Sequence, residues 1–497
     1  MTMMIKNIIA FLLLLSSLHC VGQTLDDALR YSFHENYNTA RFAGVAGAFS
    51  ALGADLSVAS TNPAGIAEFR KSEITATLNF LNTENIASLD GGAPTSNSLS
   101  RVGLGNIAAV FHSNPANFNT KTLNFAVGYN RIADFNEEIS YSGESPGTIV
   151  ERFLELATGN GLNDLGPFEA GPAFDAGAIF EGDFEGEFFS DFNTFEERVT
   201  RNETITRSGN LSEIFLTVGS NIKNKFSWGA TLAFPFLSYT EERRYEEDDL
   251  ADEVDLFESL SFSQNLNTSG VGANLKVGLI YKVNNRLRLG ASIHTKSAFI
   301  LTDEFDTEVG YTFTQDGEVN SSTALSPLSE FEYRLAGAWR AIAGLGYLYK
   351  IGELRGFLSG EVEYVNYASP SFNLTANSND PADQFFEDDL NFEIDDLLGS
   401  ALNFRIGTEL AYKFYRLRLG ANLIDSPFID TGILDYDPSF SAGLGYRGNK
   451  FYVDVAFTLR SLNTNYSPYA LLDQNSEPFV SIEQNRQLIS TTFGYKL

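Results

Sequence analysis

The chain has 497 residues, 34 Lys and Arg against 64 Asp and Glu, and a formal net charge of −30. So acidic a chain has little with which to neutralise a phosphate backbone, which argues against nucleic-acid binding. Phe (42), Tyr (21) and Gly (42) are abundant while Pro (14) and Met (3) are scarce, a composition that suits many half-buried strands better than helices.

The N-terminus reads MTMMIKNIIAFLLLLSSLHCVGQ. Lys6 supplies a positive start, and the apolar run Ile8 to Leu15 is far shorter than the roughly 20 residues needed to span a bilayer. Residues 1–22 are therefore expected to be a Sec signal peptide, cut near Gly22–Gln23. His19 stands where a lipidation signal at Cys20 would want a small residue. Cys20 is the single cysteine, so a mature exported chain would hold its fold without disulfides, by means such as strand closure.

Residues 39–69, TARFAGVAGAFSALGADLSVASTNPAGIAEF, are rich in Ala and Gly and end in Asn-Pro-Ala-Gly. They lack strand alternation and are too small-residue-rich for an ordinary core helix. From residue 72 onward the period is two. Phe451, Val453, Val455, Phe457 and Leu459 share one face, and Tyr452, Asp454, Ala456, Thr458 and Arg460 the other. Apolar faces about ten residues long, set against Gly, charges and small polar residues, fit strands with lipid outside and a wet lumen inside.

Six short turn signals, at 113–119, 223–225, 283–286, 350–353, 413–415 and 447–450, alternate with seven long polar connections, at 83–100, 143–209, 242–256, 313–328, 369–399, 427–437 and 464–485. That plan predicts an all-β fold, a 14-stranded antiparallel transmembrane β-barrel with both termini on the short-turn side. Segments such as 120–142 and 257–283 read as single strands projecting beyond the outer leaflet. A soluble sandwich would also alternate, but with comparable loops at both ends.

Of the histidines, His34, His112 and His294 would remain after processing, and none lies at metal-ligand spacing from another. No nucleophile elbow, zinc-protease or phosphate-loop motif is present, so no catalytic residue, cofactor or metal site is expected and the chain is not read as an enzyme. Lys276, Arg288, Lys296, Arg405, Arg416, Arg418, Arg286, Glu361, Glu363 and Glu409 fall opposite the apolar faces. They suit a lumen whose charges pair with one another and with a plug, or an ion-selective lining. Residues 167–195 hold eight Phe among acidic residues and Gly, and 380–396 hold eight acidic residues and no basic one. Each is either a loop packed on its own aromatics or an exposed landing surface.

The Thr39 to Ser57 run, Asn62 to Gly65 (NPAG) just before the first strand, and the segments 360–367, 403–412, 417–428 and 441–447 together resemble the FadL-type outer-membrane transporters of long-chain fatty acids and aromatic hydrocarbons. The resemblance implies a partly helical hatch at 23–71 inside the lumen, with a barrel of long extracellular loops at 72–497. It also implies passive uptake of hydrophobic small molecules into a pocket above the hatch and lateral exit at an irregular third strand. By position that strand is 120–142, with a kink near Asn130, Arg131 and Asp134. Asn62, Pro63, Ala64 and Gly65 would gate the hatch, and Phe42 and Phe49 would help form the pocket floor. The partners would be a hydrophobic ligand and, around the barrel, outer-membrane lipid and lipopolysaccharide of a Gram-negative cell, with the protein monomeric. Two alternatives remain: a FadL-like shuttle whose loops bind secreted proteins, which predicts a co-purifying protein, and a general porin, which predicts steady conductance.

Overall fold

A computed structural model describes residues 23–497 except 36, 116–118, 193–196, 376–380 and 430–435; the expected signal peptide lies outside the described residues. Fourteen antiparallel strands close on themselves: β1 Glu73–Leu89, β2 Thr95–Ser113, β3 Thr120–Asp134 continued by Glu137–Pro146, β4 Arg198–Ile222, β5 Phe226–Asp248 and β6 Phe257–Lys282. The circuit continues through β7 (Leu287–His294, then Ala298–Gln315), β8 (Ser329–Ala336, then Trp339–Ile351), β9 Leu354–Asn366, β10 Ser400–Tyr412, β11 Tyr415–Asp425, β12 Tyr436–Arg447, β13 Phe451–Tyr466 and β14 Val480–Lys496. β14 pairs back onto β1 from Glu73↔Lys496 to Leu89↔Val480, so the sheet has no outer edge strand.

Why these segments are strands is visible in their outward faces. On β5, Phe226, Trp228, Ala230, Leu232, Phe234 and Phe236 point out and are followed on the same face by Ser238, Thr240, Glu242 and Arg244. On β6 the outward row runs Val271 to Tyr281, preceded by Asn265, Asn267 and Ser269. The two boundaries coincide, because Phe236 pairs with Val271 and Ser238 with Ser269. An apolar row of about ten residues is the length a tilted strand needs to cross a bilayer. Above it the same strands continue as a polar-faced tube. At the opposite end exposed Tyr281, Tyr347, Tyr412, Tyr415, Tyr446 and Tyr495 form an aromatic girdle beside the short turns. In the turn 223–225 between β4 and β5, Lys223 and Asn224 are both left-handed (φ 53° and 56°), and the turns after Ile351 and Tyr412 leave only two residues between paired strand ends.

The long connections are shorter than the sequence suggests. The expected loop 83–100 is mostly β1 and β2, leaving 90–94 as the turn, and much of 242–256 and 313–328 is likewise strand. Polar outward faces look like loop in a sequence, but alternation with an inward apolar or paired residue keeps them in the ladder. The described residues of 147–197 form a true cap, with helices α3 (Ile149–Ala157) and α4 (Ala170–Ala176). Its Phe188 and Phe192 are buried together with Phe153 against Phe257, Phe262 and Tyr311 of the projecting strands. Phe180, Phe184 and Phe189 stay exposed; Phe195 lies outside the described residues. Self-packing thus accounts for the inner half of this loop. The acidic stretch forms helix α5, Pro381–Leu397, which sends Leu390 and Ile394 into the barrel core and leaves most of its carboxylates outside.

Arg201 on β4 fastens the cap. Its side chain is fully buried and donates to Tyr245 and Tyr469 hydroxyls (2.9 and 3.0 Å), to the Pro146 carbonyl (3.0 Å), and to Ser145 and the Gly147 carbonyl, beside the buried carboxylate of Glu247. Arg201→Met is expected to cost about 3–5 kcal/mol, because it strips the cation from a buried pair. Protease cutting within 147–197 on intact cells should rise accordingly; unchanged protection would refute the fastening role.

Candidate functional site

Residues 23–69 fill the barrel. Three short helical turns within the plug, α2 (Ala40–Ala43), Leu56–Ser60 and Pro63–Glu68, each start at a side-chain cap: Thr39 accepts from Phe42 N–H, Asp55 from Ser57 N–H, and Asn62 from Ala64 N–H. Small residues allow the chain to lie close to the wall, and the wall answers with glycine. Gly219, Gly229 and Gly278 stand side by side on β4, β5 and β6, in register. A Cβ on Gly219 would come 2.8 Å from the Ala67 nitrogen, and one on Gly229 or Gly278 would overlap the Pro63 carbonyl or the Asn62 side chain. The neighbouring pair Gly407 and Gly420 receives the backbone of Val45 and Ala46 in the same way.

The NPAG motif sits at the centre of this contact. Asn62 is fully buried, and its Nδ2 donates to the carbonyls of Ser50 (2.6 Å) in the plug and Leu279 (3.1 Å) on β6. Pro63 supplies the first residue of the turn, where its fixed φ is an advantage. Ala64 is buried, and Gly65 packs against Gly53 and Val58. The two residues before the motif are bound just as firmly. Ser60 Oγ donates to Glu213 Oε1 (2.6 Å) and accepts from Asn130 Nδ2 (2.5 Å), while Thr61 O meets His294 Nε2 (2.6 Å). Glu213 in turn is held by the ammonium of Lys276 (2.5 and 2.6 Å), both side chains being essentially inaccessible. We call this cluster the latch.

The lumen charges pair and grip the plug. Arg405 bridges Glu361 and Glu363, Arg418 bridges Glu409 and Asp454, Glu361 accepts from Ser50 N–H (2.9 Å), and Glu68 meets Lys282 (2.7 Å). Arg288 reaches the Leu52 carbonyl, and Lys296 the Ser369 carbonyl. Arg416 bonds the rim carbonyls of Lys413 and Tyr415, and Arg286 lies exposed at the short-turn rim.

Phe42 and Phe49 pack with tilted rings 6.1 Å apart, and Phe49 meets Phe357 of β9 edge-on at 5.7 Å. Both rings are fully enclosed in the plug's own core with Val45, Leu56, Val58 and Ile66. The apolar surface above the plug belongs to other residues. Leu25, Leu29 and Phe33, from helix α1 (Leu25–Arg30) and the chain after it, pack with Phe135, Leu266, Phe331 and Phe386 around buried Tyr31, Tyr239 and Tyr333. Inward-pointing Arg207 and Arg243 beside them keep 24% and 22% of their side-chain surface accessible. An apolar depression lies elsewhere, on the lipid side between Leu345, Val362, Phe404 and Ile406.

The third strand is irregular where β2 leaves it. Their ladder stops at Asn106↔Asn130. The register against β4 shifts between Arg131 and Ala133, and β3 breaks at residues 135–136. Gly103 of β2 faces the Arg131 guanidinium, 2.7 Å from where its Cβ would be, and Arg131 pairs with Asp134 at 2.5 Å. Higher up, side chains alone close the seam, with Asn97 bonded to Glu138 (2.9 Å) and Ser140 (2.6 Å). Inside the gap, Glu35 N–H of the plug caps the free Ile132 carbonyl at 2.9 Å. Asn130 thus belongs to both features: it is the last ladder residue before the gap and it holds Ser60 of the latch. Sequence reading singled out both regions but not their link through Ser60, Glu213, Lys276 and His294. Its only signal was polar residues at inward positions of otherwise apolar strands.

No family model and no curated protein sequence matches the chain. In shape it is similar to the crystal structure of a Pseudomonas aeruginosa FadL homologue, with a TM-score of 0.54 at 12% identity over 93% of this chain and 99% of that one. It is also similar to the P. putida toluene transporter TodX, with a TM-score of 0.53 at 13% identity over 94% and 99%. The chain therefore has the fold of a plugged, fourteen-stranded transmembrane barrel. Within that class its fold is similar to that of the FadL homologue and of TodX.

Proposed function

We propose that the protein is an outer-membrane transporter of hydrophobic small molecules, working passively. Ligand would enter the apolar space lined by Leu25, Leu29, Phe33, Phe135, Leu266 and Phe331, the plug would loosen at Asn62–Gly65, and ligand would leave sideways between β2 and β3. The observation that carries this reading is Asn130, which ties the plug to the margin of the wall gap. Loosening Ser60 would free both at once. The outward neighbours of the gap, Val102 and Leu104, are exposed and apolar, so a molecule leaving there meets lipid and keeps its burial of about 25 cal/mol per Å². The likeness to a toluene transporter and a FadL homologue supports the substrate class.

The test is uptake of a labelled long-chain fatty acid and of toluene by cells lacking their own such transporters. Gly103→Phe should fill the gap and lower uptake about tenfold, the effect of a single blocked step. Asn62→Ala with Pro63→Ala should also impair uptake while the heat-resistant mobility of the assembled barrel is kept. Normal uptake by both variants would sink the transport route. A second reading, docking of a secreted protein, draws on exposed Phe180, Phe184 and Phe189 at the cap; a stoichiometric co-purifying protein in place of lipid would favour it.

A further inference from the structure

Asp303 on β7 is 2% exposed, yet among the described residues it has no cationic partner. Its Oδ2 accepts from Gln23 Nε2 at 2.8 Å, its Oδ1 faces the Tyr333 hydroxyl at 3.4 Å, and Thr268 lies opposite it in register. Of the other buried carboxylates inside the barrel, Glu213, Glu361, Glu363, Glu409 and Asp454 each meet a Lys or Arg, whereas Asp55 and Glu73, among the described residues, are bonded to neutral donors. An ionised carboxylate withdrawn from water with only neutral donors is strongly disfavoured. Gln23 is itself 2% exposed, and the next residue, Thr24, donates its N–H to Asp27 Oδ2 at 2.9 Å. Asp27 is already answered by Arg30 at 2.5 Å, whose guanidinium stacks on Tyr239. Gln23 therefore sits between a carboxylate with a cation and one without, its side-chain amide on Asp303 and the next N–H on Asp27, and the expected export cleavage falls on its peptide bond.

We propose that hydrolysis of the Gly22–Gln23 bond creates the missing counter-ion: the new α-ammonium of Gln23 pairs with Asp303 inside the barrel. Water adds across the amide, Gly22 departs with the carboxylate, and the nitrogen of Gln23 takes up a proton, as an α-amine does at neutral pH. The charge exists only after processing, so helix α1 is pinned beneath the cap only in the mature chain. The pairing also bears on a side reaction of N-terminal glutamine, in which the free amine attacks Cδ, forms a lactam and expels Nε2 as ammonia. A protonated amine held by Asp303, with Nε2 bonded to the same carboxylate, has no lone pair and no suitable approach. Gln23 should therefore persist uncyclised.

The experiment uses the full protein purified from outer membranes in detergent, acylated at its amines while folded or unfolded, with the N-terminal peptide identified by mass. The peptide should begin at uncyclised Gln23, and its amine should react about tenfold more slowly in the folded protein, the protection of a site that reacts only on local opening. Asp303→Asn should abolish that protection. Gln23→Ala, which keeps the ammonium and deletes the side-chain amide, should retain it. A different first residue, a lactam, or equal labelling of the parent and Asp303→Asn overturns the proposal. Should Asp303→Asn not assemble, the parent alone decides, through its first residue and its folded-to-unfolded ratio. None of these readouts depends on transport.

Discussion

Lys276→Ala is expected to unseat the plug while the barrel stays assembled. Both partners of the Lys276–Glu213 pair are about 1% exposed. Deleting the ammonium leaves a buried carboxylate bonded, among the described residues, only to the Ser60 hydroxyl, and uncompensated buried charges of this kind cost about 3–5 kcal/mol. The barrel ladders around the latch are long, since β4 and β5 pair without interruption from Thr200↔Asp248 to Ile222↔Phe226. The penalty therefore falls on the one element that can move, the segment Leu56–Glu68. Planar-bilayer recording should show channel openings that the parent lacks, and amides of that segment should exchange faster. A silent, fully protected variant would refute the latch. The companion change Lys276→Met with Glu213→Leu removes both charges in matching volume and should restore a quiet channel, because the burden lies in the unpaired charge.

Gly229→Val should act as strongly by a different cause. Gly229 faces the Pro63–Ala64 peptide with neighbours Gly219 and Gly278 on either side, so added carbons meet backbone, which cannot rotate aside. Overpacking a close contact costs about 1–3 kcal/mol even where side chains can shift, and more where they cannot. The plug should become sensitive to protease from the short-turn side, whereas heat-resistant mobility of the barrel persists. Gly360→Val provides the control, because the outward Cβ position of Gly360 has nothing within 4 Å. If both variants behave alike, the glycine row does not seat the plug.

The barrel was legible because membrane strands obey a local rule. The outward rows at 226–236 and 271–281 must be apolar whatever they pair with, and tight turns such as Lys223–Asn224 declare one rim. Where strands leave the bilayer that rule lapses. The polar rows Ser238 to Arg244 and Asn265 to Ser269 then resembled loop, although the ladder continued through them. The Phe-rich cap was ambiguous for a related reason, since composition does not say which face of a Phe finds partners. Phe188 and Phe192 found them in Phe257 and Phe262, and Phe184 did not.

What the sequence by itself determined was the strand plan, set by the short-range chemistry of alternation and turn conformation; a plug at the small-residue segment with its NPAG end was expected from the resemblance. What only the tertiary structure decided was which distant residues meet. Ser60 was unremarkable until Asn130, Glu213 and Lys276 closed around it, and Asp303 was one acidic residue among 64 Asp and Glu until Gln23 was placed against it. Phe42 and Phe49 were expected at the floor of a ligand pocket; they lie enclosed in a cluster that includes Phe357, some three hundred residues away in sequence. Barrel closure brings such positions together through strand register, and register is a property of the whole ring that no single segment encodes.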